Sequence, residues 1–427
     1  MNDSLYASFF LKKERMRKIM NKTMQRKYAR LLVRVGVNIQ KGQTLVVRAQ
    51  TEVYPFVEIL ADEAFKAGAG DVQIEWGNQT LTKLAYRHCT MTSLSKVEAW
   101  EEAKMKFQAD TLPAMIRLCS EDPDGLKGMN QTKVRKVAQR RYPVFKPYRE
   151  QMENRYQWLV AAVPGKAWAK KVFPGERPAA AVEKLWNAIL ECCLVTPDND
   201  PIAAWEEKNR IMAEKCEKLN AYRFEYLEYK NSLGTDFRCT LMPKSLWCAG
   251  GEKTLGGTFF NPNMPTEEVF TTPWKGKCDG KLVSSMPLSR QGTLIDGFWI
   301  EYKDGKAVNW DAATGKDALD ALMQTDEGAL MLGELALVPY DSPISNQKIL
   351  YYNTLFDENA SCHVAVGSGY SNCVEGFETM TKEELDDLGV NDSQVHVDFM
   401  IGTPDMSIVG WKDGKATPIF ENGNWAL

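Results

Sequence analysis

The chain has 427 residues, 44% of them hydrophobic and 26% charged, with a formal net charge of −3. This balance is that of an ordinary globular protein, long enough for two domains or three at roughly 150 residues each and for a large core that needs no disulfides. The small net charge gives no general attraction to nucleic acid or anionic membrane, and no apolar run approaches the roughly 18 residues of a membrane span, so neither partner is expected.

Residues 1–19 read as an N-terminal extension whose short apolar patch is followed, not preceded, by basic residues, unlike a signal peptide. Residues 12–30 carry nine Lys/Arg against one Glu, which reads as a solvated helix face. An α/β domain is expected over residues 20–225. "QTLVVRA" (43–49) has the apolar run of a buried strand. Val53, Phe56, Val57, Leu60 and Ala64 then fall on one helical face, closed by Gly68, and "DVQIEWG" (71–77) alternates as a second strand. Strand–helix–strand predicts a mostly parallel sheet. "YQWLVAAVP" (156–164) predicts a further strand, and residues 177–195 and 202–222 predict amphipathic helices. No glycine-rich phosphate loop follows the first strand, and "GSGYSN" (367–372) reads as a turn, so a nucleotide cofactor has no support.

From about residue 226 to 427 the pattern becomes that of a β-rich α+β domain. Short strand-like runs such as "RFEYLEY", "TDFRCTLMP" and "KLVSSMPL" are separated by Gly/Asp turns, and "KDGK" at 303–306 and 412–415 predicts two hairpins. Helical patches are expected at about 315–332 and 381–389. The ten cysteines are scattered without a CxxC pair, as buried thiols of a cytoplasmic protein would be.

Groups suited to metal binding gather in this second half. "NPNMPTEEVFTTP" supplies Glu267 and Glu268, and "LGELALVP" supplies Glu334. "TLFDENASCHVAVGSGY" supplies Asp357, Glu358, His363 and Tyr370, and "NDSQVHVDFM" supplies His396 and Asp398. On a strand, His396 and Asp398 share one face. The third histidine, His88, has no acidic neighbour and reads as structural. Each fragment has an ordinary explanation: a solvated Glu pair, a turn acceptor, a hydrogen-bonded His/Asp pair, a packed tyrosine. Together they suit a carboxylate-rich metal site holding zinc, cobalt, manganese or magnesium. Pattern alone leaves both readings open.

The same blocks, with "YARLLVRVGVNIQKGQ" (28–43), "AWAKKVFPG" (167–175), "AVEKLWNAIL" (181–190) and "DPIAAWEEKNR" (200–210), resemble the thermophilic-type bacterial metalloaminopeptidases, the aminopeptidase T and aminopeptidase S group. The resemblance runs from about residue 20 to the end. It implies an α/β domain followed by a dinuclear metal-binding catalytic domain, a homodimer, and removal of N-terminal residues from peptides with a free N-terminus. It implies two divalent cations per chain (zinc, cobalt or magnesium), with Glu268, Glu334, His363, His396 and Asp398 as ligands and Glu334 bridging. Tyr370 matches an active-site tyrosine that would stabilise the oxyanion, and Glu267 or Glu358 would be the general base toward a water activated by the cations. Cys362 departs from the pattern, where a small residue such as Ser is expected. Metal-dependent hydrolysis of another small amide or ester, non-catalytic peptide binding, and a purely structural dimer are the other readings.

Overall fold

Strands β1 (Thr44–Gln50), β2 (Asp71–Gly77), β3 (Ala114–Cys119) and β4 (Trp158–Ala162) form an all-parallel sheet in the order β2–β1–β3–β4. The structure is a computed structural model that describes residues 22–427, so the extension expected over 1–19 lies outside the described residues. The β1 and β3 strands are apolar almost throughout and largely buried, as strands covered on both faces must be. The helix Tyr54–Ala67 makes the expected crossover between β1 and β2. It ends where Gly68 takes a left-handed conformation (φ +109°) that other residues adopt only with strain.

The helices expected at 177–195 and 202–222 are Pro178–Cys192 and Pro201–Tyr222. The strand β3 and the long helix Gln131–Met152 were not expected. The helix contains Pro143 and Pro147, which erase its signature in the sequence. The basic face is not merely solvated in its described part. Arg26 reaches Asp62 and Glu63 at 2.5 and 2.8 Å, and Lys27 donates to the carbonyls of Thr196, Pro197 and Asn199 at 3.0, 2.7 and 2.8 Å. These contacts tie residues 26–27 to the helix Tyr54–Ala67 and to the loop between Pro178–Cys192 and Pro201–Tyr222.

The antiparallel half begins at Tyr226–Lys230. A nine-stranded sheet runs through the strands Thr293–Lys303, Pro273–Val283, Asp236–Leu241, Tyr226–Lys230 and Ser407–Lys412. Both "KDGK" segments are two-residue hairpin turns, with φ of +49° and +74° at Asp304 and Gly305, and +51° and +72° at Asp413 and Gly414. The strand expected over 281–288 is broken, ending at Val283 and resuming at Leu288, with Pro287 in the gap. The helical patch at 315–332 stops at Met323, because the wholly buried run from Leu332 to Leu337 is claimed by a second sheet. That five-stranded antiparallel sheet has the order His396–Met400, His363–Gly367, Leu332–Leu337, Val269–Thr271, Cys248–Ala249.

One apolar core surrounds the parallel sheet and another lies against the five-stranded sheet. The segment 344–360 crosses between halves. Its Ile344, Tyr351, Leu355, Phe356 and Ala360 pack into the core of the parallel sheet. There the Trp168 indole N–H donates to the Tyr351 carbonyl at 2.5 Å, and Tyr351 stacks on Phe356 with ring centroids 4.6 Å apart. All ten cysteines are free. Among the described residues no helix is long and apolar enough to cross a membrane.

Trp168 is fully buried. Its replacement by Ala is expected to cost about 3–5 kcal/mol, read as a lowered urea midpoint.

Candidate metal centre

Pleating and register build the site. Glu334 faces Ala365 across one strand pair, and Ala365 faces Asp398 across the next. His363 lies two residues from Ala365, and His396 lies two residues from Asp398. Side chains alternate along a strand, so Glu334, His363, His396 and Asp398 emerge on one face around the small Ala365. The intervening Leu335, Val364, Val366, Val397 and Phe399 point the other way into the core. Glu268 enters from the residue before the strand Val269–Thr271.

Two candidate ligand groups result, and they share one carboxylate. Glu268, Glu334 and His363 offer donor atoms within 4.8 Å of one another, as do Glu334, His396 and Asp398. His363 Nε2 is 3.1 Å from Glu268 Oε2, and His396 Nε2 is 3.0 Å from Glu334 Oε2 and 3.1 Å from Asp398 Oδ1. Backbone carbonyls set the imidazoles. His396 Nδ1 lies 2.8 Å from the Ser368 carbonyl, and His363 Nδ1 lies 3.3 Å from that of Ser361. A carbonyl only accepts, so Nδ1 carries a proton in each ring, and Nε2 faces the carboxylates, where a bound cation would take the place of its proton.

The electrostatics are those of a site short of positive charge. Burial, then the neighbouring Asp398, Glu268 and Glu334, raises the Glu358 carboxyl well above its ordinary range. Burial likewise raises Glu334. Burial alone would lower both imidazoles, yet the surrounding carboxylates override it and hold His363 and His396 above their ordinary value. His363 Nε2 and Asp398 Oδ1 are buried and have no hydrogen-bond partner despite their close neighbours. Orphaned polar atoms in a nest of carboxylates fit divalent cations: the donor set is all nitrogen and oxygen, as zinc, cobalt or magnesium accept.

The other expected residues divide. Tyr370 joins the cluster, its hydroxyl 3.1 Å from His396 Nε2 and its N–H held by the Thr272 hydroxyl at 2.8 Å. Glu358 is buried on a short helical turn beside the ligands. Glu267 is turned to Lys208, which reaches its carboxylate at 2.5 Å. Asp357 accepts from the N–H groups of Tyr351 and Asn353 at 2.8 and 2.9 Å and holds the turn before Glu358. His88 is exposed on the helix Gln79–His88. Cys362 is buried and its thiol donates to the Val338 carbonyl at 3.3 Å, away from the ligands.

Two residues escaped the sequence reading. Asn359 is fully buried and accepts the Glu267 N–H at 2.6 Å, joining the Glu268 segment to the Glu358 turn. The run "DENAS" carries it without a pattern that marks it. Ala365 makes the room in the middle of the site, which only the cross-strand register reveals.

Residues 21–425 match the family described as thermophilic metalloprotease (M29). The chain belongs to this family. It is therefore a metal-dependent peptide hydrolase. It is 42% identical to aminopeptidase 2 of Geobacillus stearothermophilus, covering 94% of this chain and 97% of that protein. It is 41% identical to aminopeptidase AmpS of Bacillus subtilis (strain 168), over 94% and 98%. The solved structure of wild-type AmpT from Thermus thermophilus superposes with a TM-score of 0.85 at 37% identity, covering 95% of this chain and all of that one (100%). The α/β half followed by the β-rich half is thus the architecture of the relatives as well.

Ala365→Leu is expected to fill the centre of the site. The variant should fold, at a cost of about 1–3 kcal/mol, and bind less than a tenth of the wild-type metal by elemental analysis.

Proposed function

We propose that this metallopeptidase removes the N-terminal residue of peptides with a free amine, using two divalent cations held by Glu268, Glu334, His363, His396 and Asp398. The observation that carries the reading is the sharing of Glu334 by two ligand groups, which suits one carboxylate bridging two ions. The zinc, cobalt or magnesium that the donor set accepts would supply Lewis acidity and bring the pKa of water toward neutrality.

The chain's own groups account for the proton movements. Glu358 is the general base: it faces the candidate ligand carboxylates, makes no ion pair among the described residues, and is raised by burial and by those carboxylates, a rise that bound cations would offset so that it can accept a proton. It takes the proton of the attacking water and hands it to the departing amine. Glu267, already paired with Lys208, is less suited to that exchange. Tyr370 donates to the oxyanion of the tetrahedral intermediate. Its hydroxyl lies against His396 Nε2, and once that nitrogen serves as a ligand the phenolic proton is free for the substrate oxygen. Aminopeptidase 2, AmpS and aminopeptidase T of the relatives carry names that support the exopeptidase assignment.

Chelator-stripped protein should not cleave Leu-p-nitroanilide, and added cobalt or zinc should restore cleavage of the free-amine substrate but not of its N-acetyl form. Cleavage of the acetylated form would sink the exopeptidase reading. Tyr370→Phe should lower kcat about 10²–10³-fold with metal content unchanged. Glu334→Ala should lose metal and activity together.

A further inference from the structure

Besides the metal cluster, the sheet edge at His396 borders a cleft of about 680 Å³ whose lining contains five arginines, Arg117, Arg135, Arg141, Arg149 and Arg290, and no carboxylate. Its volume suits a ligand of a few residues. Two of the five arginines are neutralised from outside. Arg141 reaches Glu101 at 2.5 Å, and Arg117 lies 3.6 Å from Glu121. Arg135 gives one guanidinium N–H to the Gln324 carbonyl at 3.3 Å, and its buried Nε has no partner. Arg149 and Arg290 have no hydrogen-bond or ion-pair partner for their side chains among the described residues.

Arg290 is the exceptional group. Its side chain is half-buried in the cleft, and this burial, with no anion to offset it, pulls its guanidinium down to about 10. Removing such a cation from water without a counter-charge is costly, and proteins keep that arrangement where a ligand supplies the missing charge. The residue is also held in place. It ends the strand Leu288–Arg290, pairs with Thr293, and is followed by a two-residue turn with φ of +49° at Gln291 and +81° at Gly292. The turn docks on the parallel-sheet half. Gln131 donates to the Gln291 carbonyl at 3.3 Å, and a Cβ on Gly292 would fall 2.4 Å from the Lys127 nitrogen.

A second cleft of about 650 Å³ meets the first at His396 and Arg149, and it is different in character. Beside Tyr370 its lining mixes both signs, with Arg48 and Lys146 as well as Glu153 and Glu252 among them. A peptide carries a cationic amine at one end and an anionic carboxylate at the other, and the first cleft, whose lining has guanidinium groups and no carboxylate, suits only the anionic end.

We infer that the arginine-lined cleft binds a carboxylate of the peptide on the leaving-group side of the scissile bond, with Arg290 as its principal contact, so that short peptides with a free C-terminus are favoured substrates. The inference rests on the aminopeptidase reading above. Arg290 is a specificity residue here and has no part in the proton transfers. The planar fork of a guanidinium matches a carboxylate in two parallel hydrogen bonds, and the carboxylate could belong to the peptide's C-terminus or to an acidic side chain.

The test compares kcat/KM for Leu-Gly-Gly, its C-terminal amide, and Leu-Gly-Asp-amide, in the metal-loaded wild type, Arg290→Gln and Arg290→Lys. The ratio of acid to amide is read within one preparation, so any loss of folded protein cancels. The wild type should favour Leu-Gly-Gly over its amide by about 10- to 100-fold, mainly through KM. Arg290→Gln should bring the ratio near one, and Arg290→Lys should restore part of it. Recovery with Leu-Gly-Asp-amide identifies a side-chain carboxylate as an equal source, and no recovery identifies the C-terminus. A second readout needs no turnover: thermal-shift titration of chelator-treated wild type with Gly-Gly should show tighter binding than with Gly-Gly-amide, and Arg290→Gln should abolish the difference. A wild-type ratio near one, or an unchanged ratio in Arg290→Gln, overturns the inference while Leu-p-nitroanilide is still cleaved. Failure to cleave Leu-p-nitroanilide with any metal overturns the aminopeptidase reading itself, and this inference with it.

Discussion

Four carboxylates, Glu268, Glu334, Glu358 and Asp398, are gathered at one sheet face with only two imidazoles among them, and burial leaves them little help from water. Such a nest repels itself. It suits a divalent metal ion that offsets the repulsion, and much of the surrounding structure keeps the repelling groups from turning away. Asn359 pins the Glu268 segment to the Glu358 turn, the carbonyls of Ser361 and Ser368 orient the two rings, and the Thr272 hydroxyl fixes the backbone of Tyr370.

The sheet supplies this rigidity through its two faces. One face, with Leu335, Val364, Val366, Val397 and Phe399, is locked into an apolar core. The other is free to carry only polar groups and a single small residue. Each ligand strand is thus anchored by its alternate side chains, and the donor atoms inherit the precision of the core rather than the freedom of a loop. The proposed base is the exception: Glu358 sits on a short helical turn rather than on a strand.

The parts of this design that repeat locally were legible in the sequence. The alternation of "VHVDFM" put His396 and Asp398 on one face, and the crossover from β1 through Tyr54–Ala67 to β2 followed from periodicity and Gly68. Features created by long-range pairing were not. Ala365 acquires its meaning only when Glu334 and Asp398 flank it from neighbouring strands. The helix Gln131–Met152 was hidden by its two prolines, and the end of the helix at Met323 was decided by the competing demand of a buried strand. Glu267 and Glu358 could not be separated from sequence either. The difference is Lys208, which lies 59 positions before Glu267 in the chain yet beside it in space.

The segment 344–360 adds a consequence for modularity. It leaves the five-stranded sheet after Glu334, threads Ile344, Tyr351, Leu355 and Phe356 into the core of the parallel sheet, and returns as the turn that bears Glu358. The candidate ligands therefore stand on the sheet of one half of the molecule, whereas the proposed acid–base group sits on a segment braced against the core of the other. On that reading the β-rich half is not a self-sufficient enzyme to which an accessory lobe has been added. Cut from its partner, it would retain its chelating face and lose the footing of its proton carrier, so the two halves are bound to vary together.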